Sequence, residues 1–476
     1  MQRTHQSIIA ILMLSLSLML SACGSGGTAN PTTAPEATKA PEATKAPEAT
    51  KAPETNAGPV GDGMLVAIGS GEQNPTISLL TKDGWQKAVE EDLGACLNHS
   101  NLFMDASNDI WAICSNVFKS TDMGKSWKQV KVPFKEDIAL IETSTLDDKN
   151  QVWLVTGNEI VVLNAKDNSV VEQYTAAETT KETYFPNDAI AVTKDGELWL
   201  GGLNIDGSAL VSFDGKEWVA YGKPEDLGVE SYTTPTAMFV NAAGNVQIVA
   251  SNSIYELKDK KLEKVSEIDS DINAPTQIVQ IKDGELLMGS LSGLAIWNDG
   301  KVKVTSQKAG LPSNNVRTVA VDTAGRIWAG TEYGLAVQDG DKWQIALPSN
   351  SGLGTSRVYR ILVQGAPALP AAEAKEKTTT VKGRIIEKGA PVANTKVQLC
   401  AESPSLFINE SPCEGQAFQK IVETDADGKF SFENVPLATY GIAALNGEGK
   451  WIIFLSDIAG RADDSVDLGD VDVTKE

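Results

Sequence analysis

The chain has 476 residues, of which 41 are lysine or arginine and 63 are aspartate or glutamate, and its formal charge at pH 7 is −22. This acidic balance argues against nucleic acids and anionic lipid surfaces as partners, because both reward clustered basic residues. The sequence holds two histidines, His5 and His99, so catalytic triads and zinc sites that rely on imidazole are not expected.

The first 22 residues have the features of a signal peptide. Arg3 supplies a positive charge, residues 8–22 are apolar apart from serines, and the small residues Ser21 and Ala22 stand directly before Cys23. Such a segment is typical of export and short for a membrane span. Leu-Ser-Ala-Cys resembles the lipobox of bacterial lipoproteins, which implies cleavage before Cys23, diacylglycerol on its sulfur and an extracytoplasmic, membrane-anchored chain. An ordinary secretory peptide with an incidental cysteine is the alternative.

Residues 23–61 are predicted to be a disordered tether. The sequence Ala-Pro-Glu-Ala-Thr-Lys recurs from Ala34 to Lys51 and offers no large apolar side chain from which a core could form. Recurring prolines favour polyproline II at about 3.1 Å per residue, so the tether could hold the folded part on the order of 100 Å from the lipid.

Four cysteines follow Cys23 and fall into two local pairs, Cys96 with Cys114 and Cys400 with Cys413. In an exported protein such cysteines are expected to form disulfides. Four cysteines allow three connectivities, and the local one is favoured because about 290 residues separate the pairs. Four buried free thiols are the alternative.

A tryptophan-centred segment recurs along residues 62–365. Clear copies are Asp109–Cys114, Gln151–Thr156, Glu197–Gly202 and Arg326–Thr331, and weaker copies are Met64–Gly69, Asn245–Ala250 and Glu285–Ser290. Aligned on the tryptophan position, the copies follow one another at steps of 40 to 48 residues. Short alternating strands at this period, divided by Asp, Gly and Asn turns, are typical of propeller blades. The fold class is therefore predicted as all-β, with a seven-bladed propeller over residues 62–365.

Ser120–Trp127 has a sequence that resembles the Asp-box of sialidase-type propellers. The resemblance implies a hairpin between the third and fourth strands of a blade. In it Asp122 accepts backbone hydrogen bonds, Gly124 takes a positive φ and Trp127 packs inward. In the families that carry it, the motif lies away from the active site, so a structural role is expected.

Residues 310–345 show one complete repeat, with a Gly-Leu-Pro-Ser-Asn-Asn loop followed by Asp-Thr-Ala-Gly-Arg-Ile-Trp and a Gly-Leu pair. This pattern resembles the two-component-regulator propeller repeat. Residues 356–363 match the inner strand of this repeat, yet no further blade follows them. Because residues 64–88 supply only three strands, the strand at 356–363 is predicted to complete the first blade and close the ring.

A linker at residues 366–377 precedes a predicted β-sandwich at residues 378–476. The segments Val381–Arg384, Gly389–Val392, Thr424–Phe430 and Val435–Tyr440 resemble the carboxypeptidase regulatory-like domain, which is Ig-like or transthyretin-like. The resemblance implies a non-catalytic accessory module. Asp425 and Asp427 could offer oxygens to calcium, but the EF-hand spacing is not continued and a hairpin turn is favoured.

The sequence thus favours a non-catalytic, lipid-anchored binding protein whose partner is a protein or a polysaccharide, without cofactor or metal. In a propeller, the loops before the inner strands and those between second and third strands share one face, which is the predicted ligand face. Its candidate residues are Asn204, Asp206, Asn252, Leu291, Asn314, Glu332 and Tyr333.

Two other functions stay open. A carbohydrate-active hydrolase or lyase of the sialidase type would need three arginines from separate blades, whereas Arg317, Arg326, Arg357 and Arg360 all fall in the last blade and the closing strand. A carboxylate pair for glycoside hydrolysis could come from many acidic residues. The repeat resemblance also implies a ligand-sensing input module, which would signal through a membrane partner.

Overall fold

The computed structural model describes most of the chain from residue 61 onwards. The described residues are 61–70, 75–87, 101–135, 140–180, 184–202, 210–222, 227–228, 235–241, 243–250, 253–258, 261–268, 272, 275–282, 285–298, 301–371, 376–401, 411–414, 416, 418–459 and 465–474. The signal peptide, Cys23, the tether up to residue 60 and Cys96 lie outside them, as do Asn204, Asp206 and Asn252. Within these ranges no helix is both long and apolar enough to cross a bilayer.

Four-stranded antiparallel sheets of consecutive strands follow one another along the chain. Sheet 1 begins with β1 (Gly63–Ser70), β2 (Pro75–Thr81) and β3 (Gly84–Lys87). Sheet 2 holds β4 (Asn101–Met104), β5 (Ile110–Ile113), β6 (Val117–Ser120) and β7 (Lys128–Val130). Sheet 3 holds β8 (Thr143–Leu146), β9 (Gln151–Val155), β10 (Glu159–Asn164) and β11 (Val170–Thr175), with the short helix α1 (Ala176–Thr179) after it.

The later sheets repeat this order. Sheet 4 holds β12 (Ala189–Val192), β13 (Leu198–Gly201), β14 (Leu210–Phe213) and β15 (Trp218–Ala220). Sheet 5 holds β16 (Pro235–Val240), β17 (Val246–Ala250), β18 (Ser253–Lys258) and β19 (Lys261–Glu267). Sheet 6 holds β20 (Pro275–Lys282), β21 (Glu285–Ser290), β22 (Gly293–Asn298) and β23 (Lys301–Thr305), and a 3-10 turn (Gln307–Ala309) follows. Sheet 7 holds β24 (Val316–Val321), β25 (Ile327–Thr331), β26 (Gly334–Asp339) and β27 (Lys342–Ala346), followed by the helix α2 (Pro348–Ser351).

The next strand, β28 (Arg357–Gly365), returns to sheet 1 and takes its innermost position beside β1. The two strands pair antiparallel from Gly63 opposite Gly365 to Ser70 opposite Arg357, with a bulge next to Ile68. This is the closing strand that the sequence predicts, two residues longer at its end.

The innermost strands form a closed ring. In chain order β4, β8, β12, β16, β20, β24 and β28 each contact the next, and β28 contacts β4. Sheets arranged radially around a common axis in this way form a β-propeller.

The core of the ring lies between neighbouring sheets rather than on its axis. Along β1, Met64, Val66 and Ile68 pack against sheet 2, whereas Leu65 and Ala67 pack against sheet 7. Successive side chains of a strand point to opposite faces of its sheet. A strand such as β1 therefore contributes side chains to the two hydrophobic clusters on either side of its sheet. This explains why the second strands are almost continuously hydrophobic.

Glycines in the second strands allow neighbouring sheets to approach near the axis. A Cβ atom on Gly330 would lie 2.4 Å from Thr318 Cγ2 and 2.7 Å from Val358 Cγ1, and one on Gly289 would lie 2.8 Å from the Val316 carbonyl oxygen. A larger residue at either position would push apart the inner strands. The glycine that follows the tryptophan by two residues in the repeat therefore has a packing role.

Two further four-stranded sheets follow the ring. Sheet 8 holds β29 (Thr378–Glu387), β30 (Ala390–Pro391), β33 (Lys429–Pro436) and β36 (Ser465–Asp472). Sheet 9 holds β31 (Lys396–Cys400), β32 (Gln419–Glu423), β34 (Thr439–Leu445) and β35 (Trp451–Ala459). One hydrophobic cluster, which includes Phe430, Phe432 and Tyr440, joins the two sheets. We call sheets 8 and 9 together the C-terminal sheet pair.

A disulfide joins Cys400 to Cys413, whose Cα atoms are 5.2 Å apart, as the local pairing predicts. Cys114 is also disulfide-bonded, but Cys96 lies outside the described residues, so the pairing of these two cysteines stays a prediction. The Asp425–Gly428 segment forms the turn between β32 and β33, where Asp425 Oδ1 accepts hydrogen bonds from the backbone N–H groups of Asp427 and Lys429.

The C-terminal sheet pair docks on loops of sheet 7 and on the loop before β28. Tyr333 and Leu347 of these loops belong to the same buried cluster as Tyr440. The hydroxyl oxygens of Tyr333 and Tyr440 are 3.5 Å apart. Ser356 Oγ donates to Thr439 Oγ1 at 3.0 Å and accepts from the Thr439 backbone N–H at 2.9 Å. The docking contact is thus both apolar and hydrogen-bonded.

Candidate functional site

A cavity of about 540 Å³ opens at one end of the ring, where the inner strands begin. We call it the channel mouth. Its lining comes from several sheets and comprises Asn101, residues 142–145, residues 188–190, residues 235–238, residues 275–278, Leu291, Arg317 and Arg360. Cavities of this size are in the range that small-molecule sites occupy.

Acidic residues precede two of the inner strands at this end of the ring. Glu142 and Asp188 occupy equivalent positions, one residue before β8 and β12. The Glu142 backbone N–H donates to the Val155 carbonyl at 2.9 Å, and the Asp188 N–H donates to the Gly201 carbonyl at 3.0 Å. Because these bonds fix the backbone to the second strand, both carboxylates are set at the rim of the cavity. Asp188 is exposed and Glu142 is half-buried.

The opposite part of the wall carries arginines. Arg317 lies on β24 and Arg360 on β28, and these two strands are neighbours in the ring. Arg317 Nε donates to Glu332 Oε2 at 3.1 Å, and Arg357 Nε lies 2.9 Å from Glu332 Oε1. Glu332 therefore orients two guanidinium groups at once.

Arg360 has the most perturbed charge in this group. Its Nη1 donates to the Tyr359 carbonyl at 2.8 Å. Burial, and then the neighbouring Arg317 charge, lower the pKa of Arg360 to about 10. The group stays cationic at neutral pH.

The predicted ligand-face residues have different roles in the structure. Leu291 lines the channel mouth and is 42 % exposed. Asn314 Oδ1 accepts the Gln307 backbone N–H at 2.8 Å, so its side chain shapes the loop before β24. Glu332 is only 7 % exposed, because it pairs with two arginines. Tyr333 is 5 % exposed, because the C-terminal sheet pair covers it.

Sequence reasoning did not select Glu142, Asp188, Arg317 or Arg360 for the ligand face. A signal was present, since all four arginines of residues 62–365 fall between positions 317 and 360. Their concentration in one blade and the closing strand places all four on one side of the ring. The two acids carried no comparable signal among the many acidic residues of the chain.

The Asp-box prediction is confirmed in its details. Asp122 Oδ1 accepts the Ser126 backbone N–H at 2.8 Å. Burial by itself would raise the pKa of Asp122, but hydrogen bonds from Ser126 and Ser120 together outweigh burial and lower this pKa. Gly124 has a φ of 84°. Trp127 is buried and its Nε1 donates to the Gly124 carbonyl at 3.0 Å. The motif lies between β6 and β7, on an outer hairpin of sheet 2.

Among the described residues, no group of three or more His, Cys, Asp and Glu side chains is arranged to hold a metal ion.

Comparison with known proteins supports the repeat. Residues 310–333 match the two component regulator propeller family. No curated protein matches the chain.

Solved structures also match parts of the chain, at low sequence identity. A virginiamycin B lyase from Staphylococcus aureus, in complex with quinupristin, is 13 % identical with a TM-score of 0.41, and the match covers 52 % of this chain and 85 % of that one. The extracellular domain of a hybrid two-component system from B. thetaiotaomicron is 14 % identical with a TM-score of 0.43. That match covers 74 % of this chain and 51 % of the other.

Proposed function

We propose that this chain is a non-catalytic, extracytoplasmic lipoprotein that binds a protein or glycan partner at the channel mouth of a seven-bladed propeller. In this proposal Cys23 carries the lipid, residues 24–61 form the tether, and the C-terminal sheet pair is a carboxypeptidase regulatory-like sandwich. In this proposal the chain contacts the membrane through its lipid and uses neither cofactor nor metal.

The observation that carries the proposal is the cavity at the channel mouth. It lies at the end of the ring where loops before the inner strands meet, and it is lined by polar and charged side chains together with apolar ones such as Ala237 and Ile278. Convergent polar groups in a largely preformed cavity are typical of a recognition site.

The docked C-terminal sheet pair supports a recognition role at the same end. It holds the loop at Tyr333 and the loop before β28 through the Tyr333–Tyr440 contact and the Ser356–Thr439 hydrogen bonds. Loops that are fixed before binding lose less conformational entropy when a ligand arrives. The accessory sheets thereby preorganise one side of the mouth.

The proposal is tested by crosslinking on intact cells that carry the full chain. Leu291→Trp places a large ring at the exposed rim of the mouth, and Ile345→Trp, on the exposed side of β27, is the matched control. We expect Leu291→Trp to reduce recovery of the crosslinked partner at least fivefold and Ile345→Trp to leave it unchanged. Equal recovery with both variants would show that the partner binds elsewhere.

Anchoring and catalysis have separate tests. Cys23→Ser is expected to release the protein from the membrane fraction and to abolish incorporation of labelled fatty acid. Incubation of the purified protein with cell-surface polysaccharides is expected to leave them intact. Turnover of any of them would replace the binding proposal with the carbohydrate-active enzyme.

A further inference from the structure

The charges around the channel mouth are separated into two arcs. The cationic arc consists of Arg317 and Arg360, on the neighbouring strands β24 and β28. The acidic arc consists of Glu142 and Asp188, directly before the neighbouring strands β8 and β12. On one side of the ring only β4, with Asn101 at its start, lies between the arcs.

The cationic arc has the chemistry of a carboxylate site. A guanidinium group presents its N–H donors in a planar fork that matches the two oxygens of a carboxylate. Glu332 engages Nε of Arg317 at 3.1 Å and so fixes the direction of that side chain. Two adjacent guanidinium groups repel each other, and a carboxylate bound to both of them would relieve this repulsion.

The acidic arc has the chemistry of an ammonium site. An ammonium group carries three donors and no acceptor, and carboxylates accept its hydrogen bonds. Glu142 and Asp188 are held at the rim by equivalent backbone bonds to the second strands of their sheets. The same two carboxylates would disfavour a ligand that carried negative charge alone.

We propose that the channel mouth binds a small zwitterion, an amino acid or a short peptide with free termini, with its carboxylate at Arg317 and Arg360 and its ammonium group at Glu142 and Asp188. This inference rests on the proposed binding function and adds a ligand class to it. The wall between the arcs on the side of β16 and β20 includes Ala237 and Ile278, which can accommodate an apolar side chain.

The test uses the mature full-length chain in detergent and calorimetric titration with alanine, dialanine and trialanine. N-acetyl-dialanine keeps the carboxylate and lacks the ammonium group, and dialanine amide does the opposite. We expect at least one of the three free peptides to bind, and each blocked form of the best length to bind at least tenfold more weakly. Equal binding of the acetylated form would reduce the site to a simple anion site, and failure of all three would overturn the inference.

One substitution in each arc tests which group of the ligand that arc binds. Arg360→Met is expected to weaken the free peptide at least tenfold, and Arg384→Met, which removes an exposed arginine of the C-terminal sheet pair that pairs with Asp470, is the matched control. Glu142→Gln is expected to weaken the free peptide and to leave the acetylated peptide unchanged. Since Glu142 lies at the rim, this second variant decides the matter even where Arg360→Met does not fold.

The two proposals fail in different ways. Partner crosslinking that depends on Leu291, without peptide binding, overturns only the zwitterion. Loss of both results overturns the channel mouth as a recognition site.

Discussion

Sheets 3 and 4 are neighbours built from the same repeat, and the instructive difference between them is the first residue of the turn between the first and second strands. In sheet 3, Asp147 Oδ1 accepts the backbone N–H groups of Lys149 and Gln151 at 3.0 and 2.8 Å, and Oδ2 accepts Trp153 Nε1 at 2.9 Å. In sheet 4 the equivalent residue is Thr193, whose Oγ1 accepts only the Glu197 N–H, at 3.1 Å.

The consequence appears at the tryptophan. Trp199 Nε1 is buried and has no hydrogen-bond partner among the described residues, although its ring stacks on Tyr221 with centroids 5.4 Å apart. Sheets 2 and 7 follow sheet 3, since Asp105 binds Trp111 and Asp322 binds Trp328 in the same way. The aspartate carboxylate thus bonds both to the backbone of the turn and to the tryptophan of the second strand. The threonine hydroxyl bonds only to the backbone.

Sheet 5 shows a second solution. Gln247 replaces the tryptophan and Asn241 the aspartate, and the acid comes from Glu256 on the third strand. Glu256 accepts Asn245 Nδ2 at 3.1 Å and Gln247 Nε2 at 3.4 Å. The side chain at the tryptophan position therefore donates to a carboxylate in both sheet 3 and sheet 5, and this carboxylate comes from the turn in sheet 3 and from the third strand in sheet 5. Sheet 4 is the exception that the following predictions exploit.

Asp147→Ala should have the largest effect. It removes three hydrogen bonds and leaves two backbone N–H groups and an indole N–H without their acceptor, which at about 1 kcal/mol each lowers the free energy of unfolding by about 3 kcal/mol. Thr193→Ala, its matched control, removes one bond and should lower it by about 1 kcal/mol. Chemical denaturation measures both. Equal losses would mean that the carboxylate adds nothing beyond the turn.

Sheet 7, unlike sheet 3, contacts the C-terminal sheet pair. The contribution of this contact to stability depends on pH. Burial raises the pKa of Tyr333 to about 12 and also raises the pKa of Tyr440. A tyrosine whose pKa is raised in the folded state stabilises it fully below pH 10, the unfolded value, and this contribution is lost as the pH rises from 10 towards 12.

We therefore expect the melting temperature to fall between pH 10 and pH 12, and the fall to be smaller in the double variant Tyr333→Phe, Tyr440→Phe. Tyr184→Phe, at an exposed tyrosine, is the control. Arg360 acts in the opposite direction, because its lowered pKa favours the folded state as the pH rises above 10. An unchanged alkaline profile in the double variant would show that the docking contact does not limit stability there.

Thr193→Asp should have the smallest effect and the opposite sign. The new carboxylate can accept Trp199 Nε1, so that sheet 4 acquires the arrangement of sheet 3, with an expected gain of about 1 kcal/mol. A double-mutant cycle with Trp199→Phe measures the coupling. If Thr193→Asp stabilises the protein equally when residue 199 is phenylalanine, the gain does not come from the indole.

Much of the ring could be predicted because its determinants are local. The tryptophan repeat located the second strands, and the unpaired inner strand near residue 356 indicated how the ring closes. The Asp-box hairpin and the turn at Asp425 followed from side chains that bond their own backbone, which is a short-range effect.

The site could be predicted only in outline. The strand order indicates which end of the ring carries the loops before the inner strands, and Leu291 lines the cavity at that end. The burial of Tyr333 depends on a contact with Tyr440, 107 residues later in the chain, and no periodicity reports such a contact. The charge arcs depend on which inner strands are neighbours around the ring, so they emerge only after closure.

The pairing of β1 with β28 also determines how the ring responds to force. A pull on the chain before Gly63 loads β1 along its own axis, between β2 and β28. The bonds of an antiparallel ladder lie perpendicular to its strands, so the load is shared by the whole ladder from Gly63 to Ser70 instead of opening one bond after another. The seam that closes the ring is therefore a shear-resistant mechanical clamp at the point where an anchored molecule would be pulled.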